Sequence, residues 1–90
     1  MNEARRKVIG KTLEKISEVQ TLLDDIQSDI NSVFTDEEIA RDNIPESLQD
    51  TERYEKCDTA CDNLETAASS MDDAIQSLQE VSDALELAAE

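Results

Sequence analysis

The sequence contains no histidine and no tryptophan, and only one glycine, one proline, one phenylalanine and one tyrosine. Each scarcity removes a class of fold. Sandwiches and barrels need frequent Gly and Pro turns and β-branched or aromatic strands. Doubly wound α/β folds need alternating strands and glycine loops. Positive charge is scarce too. Eight Lys and Arg stand against 23 Asp and Glu, a formal net charge of -15. Such a chain is not expected to contact nucleic acid directly, because phosphate binding needs net positive charge. No apolar run is long enough to cross a bilayer. The basic start that includes Arg5, Arg6 and Lys7 is followed by Glu14 and Glu18 rather than by an apolar signal segment. The expected setting is cytoplasmic, with no membrane partner.

Catalytic chemistry is also missing. Cys57 and Cys61 are too few for a disulfide framework. They lie one helical turn apart, and a metal site would need two more ligands from a chain with no His and no third Cys. A disulfide between them would strain a helix, so they read as buried core thiols. Asp36, Glu37, Glu38 and Asp42 lack the spacing and the glycine of a calcium loop. No base stands beside Ser, Thr or Tyr54 to make a nucleophile, and no glycine loop can hold phosphates. The chain reads as a non-enzyme with no metal and no cofactor.

What is present is a heptad pattern over a single domain, residues 1–90. Ile9, Ile16, Leu23 and Ile30 recur every seven residues, with Thr12, Val19, Ile26 and Val33 three residues later. In the second half Cys57, Leu64, Met71, Leu78 and Leu85 form one row, and Tyr54, Cys61, Ala68, Ile75, Ser82 and Ala89 the other. A third row, Ala60, Ala67, Ala74, Val81 and Ala88, adjoins them. Pro45 disfavours helix at Ile44, and Asp50 or Thr51 can cap a second helix. The expected fold is all-α, a long antiparallel helical hairpin of coiled-coil type, with helices over 3–42 and 51–89 and a turn over 43–50. An alternative has three helices, because Thr35-Asp36-Glu37-Glu38 reads as a capping box.

The rows predict a register. Ile9 faces Leu85, Ile16 faces Leu78, Leu23 faces Met71 and Ile30 faces Leu64. Between these layers Thr12 faces Ser82, Val19 faces Ile75, Ile26 faces Ala68, Val33 faces Cys61 and Ala40 faces Tyr54. Glu37 falls beside Cys57. Phe34, Ile44, Leu48 and Tyr54 close the turn end as a lid. A lone hairpin this small buries little. The alanine row, with solvent-side Leu13, Leu22 and Leu87, therefore predicts a homodimer forming a four-helix bundle. Self-association is assigned to Ala60, Ala67, Ala74 and Val81.

Charge is unevenly placed. Arg5, Arg6, Lys7, Lys11 and Lys15 open the chain, and no cation follows Lys56. The cation-free stretch carries Asp58, Asp62, Glu65, Asp72, Asp73, Glu80, Asp83 and Glu86, spaced so that helical neighbours lie about 5–6 Å apart. One reading is a solvated face that keeps a bundle soluble. The other is a partner-binding acidic face that imitates a run of phosphates. Arg5 and Arg6 are expected to pair with Glu86 and Glu90. An alternative makes Arg5, Arg6, Lys7 and Lys11 an anion contact.

The run Asp42-Asn43-Ile44-Pro45-Glu46-Ser47-Leu48-Gln49, then Glu52-Arg53-Tyr54-Glu55-Lys56 and Asp62-Asn63-Leu64-Glu65, together with Arg5-Arg6-Lys7, resembles small acidic helical proteins of Gram-positive bacteriophages and mobile elements. The resemblance implies a mobile-element setting in a bacterial host cell and no residue-level role. By analogy, small acidic phage proteins resemble DNA mimics that block restriction or CRISPR enzymes. The first functional expectation is thus an inhibitor that binds a host nuclease or other nucleic-acid-binding protein. A self-associating structural or assembly bundle is the second. A sponge for small phosphorylated signals, using the basic start, is the third.

Overall fold

The computed structural model describes all 90 residues. Helix α1 spans Glu3–Asp42, a single 3-10 turn spans Glu46–Leu48, and helix α2 spans Glu52–Ala88. Local chemistry sets these limits. Asn2 caps α1, its Oδ1 accepting from the backbone N–H of Arg5 at 2.9 Å. Thr51, rather than Asp50, caps α2: its Oγ1 accepts from the N–H of Tyr54 at 3.4 Å and donates to the carbonyl of Leu48 at 2.7 Å. One side chain thereby ties the turn to the helix it starts. The three-helix alternative is not realised, since α1 runs unbroken through Thr35–Glu38. Neither glycine nor proline interrupts it there, and Phe34 and Glu37 both turn toward α2.

The two helices pack as an antiparallel hairpin with Cα extents of 69 × 15 × 14 Å and a radius of gyration of 20.1 Å. A compact domain of this length would have a radius near 12 Å. On α2 both expected rows face the seam. Every member from Tyr54 and Cys57 through to Leu85 and Ala89 is buried or half-buried. On α1 the row Ile9, Ile16, Leu23 and Ile30 does the same, continued by Glu37.

The companion row on α1 differs from expectation. Val19, Ile26 and Val33 are 43%, 42% and 53% exposed. Thr12 is half-buried, but its hydroxyl donates to the carbonyl of Val8 in its own helix. The seam instead takes Leu13, Gln20, Gln27, Phe34 and Arg41, all half-buried. The layers expected from Thr12, Val19, Ile26, Val33 and Ala40 are therefore not formed, and Leu13 is not a solvent-side residue. Bulk and hydrogen bonding explain the choice. Leu13 and Phe34 fill space that Thr12 and Val33 cannot, and the three polar residues each find a partner across the seam.

Those partners tie the two helices together. Gln20 Nε2 donates to Gln79 Oε1 at 3.0 Å, Gln27 Nε2 donates to Asp72 Oδ1, and Arg41 Nη1 donates to Asp58 Oδ1 at 3.2 Å. Every seven residues gained along α1 are matched by seven lost along α2. A slip by one heptad would only exchange these acceptors for others of the same α2 row (Glu86 for Gln20, Gln79 for Gln27, Glu65 for Arg41), so the short turn between Asp42 and Glu52 sets the alignment.

The ends are closed differently. Ile44 folds back and is buried, whereas Leu48 is exposed, so the lid at the turn is Ile44 with half-buried Phe34 and Tyr54. At the other end Arg6 Nε donates to the carbonyl of Ala89 at 3.0 Å. That cation sits where the α2 macrodipole is negative. The expected pairing of Arg5 and Arg6 with Glu86 and Glu90 is absent. The ion pairs are Lys7–Glu3, Arg41–Asp42, Arg41–Asp58 and Lys56–Glu52. A backbone carbonyl, already oriented by the helix, replaces the flexible carboxylates as the acceptor. No helix is long and apolar enough to cross a membrane.

Candidate interaction faces

With the seam known, each helix has two flanks, and antiparallel packing places like flanks on the same side of the hairpin. The two sides differ in chemistry.

The first side is acidic. Beside the seam on α2 lie Asp58, Glu65, Asp72, Gln79 and Glu86, and interleaved with them Asp62, Ser69, Gln76 and Asp83. Across the seam α1 contributes Ser17, Asp24, Asn31 and Glu38, with Glu14 and Asp42 further out. Asp58, Asp62, Glu65, Asp72, Asp83 and Glu86 thus share one side, as their spacing suggested. Asp73 and Glu80 do not. They fall on the outer back of α2, where only a wide groove would reach them. The α1 contribution was not legible from spacing alone. It requires knowing that Gln20, Gln27 and Arg41, rather than Val19 and Ile26, face α2.

Besides Asp42, three of these carboxylates have internal work. Asp58 holds Arg41, Asp72 accepts from Gln27, and Asp83 Oδ1 accepts from Gln79 Nε2 at 2.9 Å. An amide donor orients a carboxylate without cancelling its charge, so Asp72 and Asp83 are held in place. Asp58 and, further out, Asp42 meet a cation, the same Arg41. Arg41 is held firmly charged, first by the hydrogen bond to Asp42 and also by that to Asp58. Between Glu14 and Asp42 on α1, and between Asp58 and Glu86 on α2, it is the one cation on this side; Lys7, in the row of Glu14 and Asp42, stands beyond that stretch.

The second side is apolar. Val19, Ile26, Val33 and Ala40 of α1 run beside Ala60, Ala67, Ala74, Val81 and Ala88 of α2. The next row outward on α2, Asn63, Ser70, Ser77 and Ala84, carries no charge either. In a chain with 23 acidic residues, this side of α2 has none from Ala60 to Ala88 along those two rows. Of the four residues assigned to self-association, Ala60 is half-buried and Ala67, Ala74 and Val81 are exposed. A shallow depression lined by Met1, Ala4, Arg5, Val8 and Ile9 ends the apolar side at the start of α1.

The basic start does not gather into a site. Arg5, Arg6, Lys7 and Lys11 are spread around α1 by its turn of about 100° per residue. Arg6 lies on the seam and is engaged by Ala89, while Lys7 pairs with Glu3 at 3.8 Å. The thiols lie in the seam. Burial first, then the Glu37 carboxylate beside it, pushes the Cys57 thiol up. Burial does the same to Cys61, against the pull of Arg41. Both favour the neutral thiol, which is the unreactive form. No three Cys, Asp and Glu side chains converge as a metal site would require.

Comparison with protein-family models, with curated proteins and with solved structures returns no match.

Proposed function

We propose that this chain is a non-enzymatic protein-binding module whose acidic side occupies a cationic groove built for nucleic acid. The intended partner is a host nucleic-acid-processing enzyme, of the restriction, CRISPR or similar defence kind, and the setting is a phage or mobile element in a bacterial cytoplasm. One observation carries the reading: along one long side, between Glu14 and Asp42 on α1 and between Asp58 and Glu86 on α2, the carboxylates stand with Arg41 as the one cation among them. Like charges at one-turn spacing repel. A solvated surface would interleave Lys and Arg to relieve that repulsion, and this one does not.

The rod supports the same reading. Helical neighbours about 5–6 Å apart form a row along a body 69 Å long. Asp72 and Asp83 are oriented before any partner arrives, which lowers the ordering cost of binding. The self-associating structural bundle is a second reading, favoured by the apolar side. The phosphate sponge is weaker, because its four cations diverge around α1.

The test is a tagged pull-down from a Gram-positive host lysate, with and without duplex DNA. Capture of a nuclease or other DNA-handling enzyme is expected, lost when DNA or salt is added and lost with Asp62→Lys plus Glu65→Lys. Capture indifferent to DNA and to those substitutions overturns the proposal. Recovery of the chain alone favours the structural bundle.

A further inference from the structure

The apolar side lacks a cover, and four observations say what fits it. The first is area. The hairpin exposes 6575 Å², whereas a compact protein of 10.0 kDa exposes about 5,200 Å². The excess, about 1,300 Å², exceeds the roughly 800 Å² that each partner of a stable complex loses. Second is width. A two-stranded coiled coil needs two apolar rows per helix, and a bundle helix needs a third. The alanine row is that third row on α2, and on α1 Val19, Ile26 and Val33 are an apolar row left outside a seam that already holds Ile9, Ile16, Leu23, Ile30, Leu13 and Phe34.

Third is shape. The α1 row is large and β-branched, and the α2 row is small. A surface that is large along one edge and small along the other is complementary to itself under a two-fold axis along the rod. That axis lays α1 of one hairpin on α2 of the other, with both turns at one end. Every neighbouring helix pair is then antiparallel. A two-fold axis across the rod would instead stack Ile26 against its own row and leave the alanines facing each other across a gap.

The fourth is charge. Along the rod axis, Lys15 lies within about one turn of the level of Glu80, and Asp36 within about one turn of the level of Lys56. The lengthwise two-fold brings each to the opposite rim, so the first copy's Lys15 meets the second copy's Glu80 and its Asp36 meets the second copy's Lys56. Lys15 has no ion-pair partner within the hairpin, and Asp36 has none.

We propose that a second copy of this chain covers the apolar side through this lengthwise two-fold, α1 on α2. Val19, Ile26 and Val33 of each copy pack on Ala67, Ala74 and Val81 of the other. The inference is independent of the acidic-side reading, because it uses the opposite flank and leaves both acidic sides outward.

Sedimentation of the unaltered chain at tens of micromolar should give twice the 10.0 kDa chain mass. Ala74→Glu, at a position exposed in the lone hairpin, should weaken association roughly 100-fold or more by burying unpaired charge. Loss of folding by that variant is controlled by a second measurement on the unaltered sequence. Carbodiimide coupling of a mixture of ordinary and ¹⁵N-labelled protein should yield mixed-isotope links joining Lys15 to Glu80 and Asp36 to Lys56. A single-chain mass, a dimer that survives Ala74→Glu, or mixed-isotope links from α1 to α1 would each overturn the proposal.

Discussion

Asp62 offers a sharp test of why the acidic side exists. Its carboxylate is exposed and has no hydrogen-bond or ion-pair partner. It stands one turn from Asp58 and one turn from Glu65, so it takes part in two like-charge contacts. Such a pair at helical spacing costs about 0.2–0.5 kcal/mol, and an opposite pair returns a similar amount. Asp62→Lys converts two repulsions into two attractions, which sums to about 1 kcal/mol of added stability. In a domain this small, that raises the melting temperature by about 4–8 °C. Circular dichroism at low ionic strength reads it directly. The gain should shrink in about 1 M salt, where the screening length falls to about 3 Å. The same substitution should weaken partner capture. A variant more stable yet less able to bind would show a carboxylate kept for binding at the expense of stability. If Asp62→Lys destabilises the helix at low salt, the carboxylate has a structural role and the argument from unrelieved repulsion is wrong.

Three further outcomes follow from named positions. Ile16→Ala should cost about 2–5 kcal/mol, comparable with the whole stability of a small core, so its helical signal should be largely lost at 25 °C; a fully folded variant would contradict its place in the seam. At Gly10 nothing lies within 4 Å of an added Cβ, so Gly10→Ala should stabilise α1 by up to about 1 kcal/mol, and a lower melting temperature would mean that something covers that flank. The Cys57 and Cys61 thiols are held above their usual range chiefly by burial, so the folded chain keeps protons that the unfolded chain releases. The stability this contributes is present below the ordinary thiol range and is lost as pH rises through the folded values. Melting temperature should fall more steeply on the alkaline side than in a variant with Cys57→Ala and Cys61→Ala, and equal slopes would refute it.

Much of the fold was legible in the sequence because α2 leaves no choice. Its rows of Leu, Met, Cys and Ala have polar or alanine neighbours, and one rotation about the helix axis buries the large ones. The limits at the turn were legible because Pro45 and Thr51 act locally, whereas the Asn2 cap of α1 appears only in the structure. The face of α1 was less legible, since two candidate rows border Ile9, Ile16, Leu23 and Ile30. Hydropathy favours Thr12, Val19, Ile26 and Val33. Leu13 and Phe34 at the ends, and partners for Gln20, Gln27 and Arg41, favour the other, and those partners lie on a different helix. Misreading that row hid both the α1 share of the acidic side and the large-residue half of the apolar side. The basic start misled for a similar reason. Nearness in sequence suggested a cluster, but a helix disperses consecutive residues.

Arg6 on the carbonyl of Ala89 has a consequence for anything attached to the chain. Both ends emerge at one tip, and the turn stands 69 Å away at the other. A tag, a fluorophore or a fused domain at either end therefore leaves the turn free, and the hairpin projects from its attachment as a mast. Labels on the two ends would report almost no separation, whereas a label at the turn and one at either end would span nearly the full rod. Immobilised by a terminus, the molecule presents both of its long sides to solution, which is the geometry a surface-based assay of either side requires.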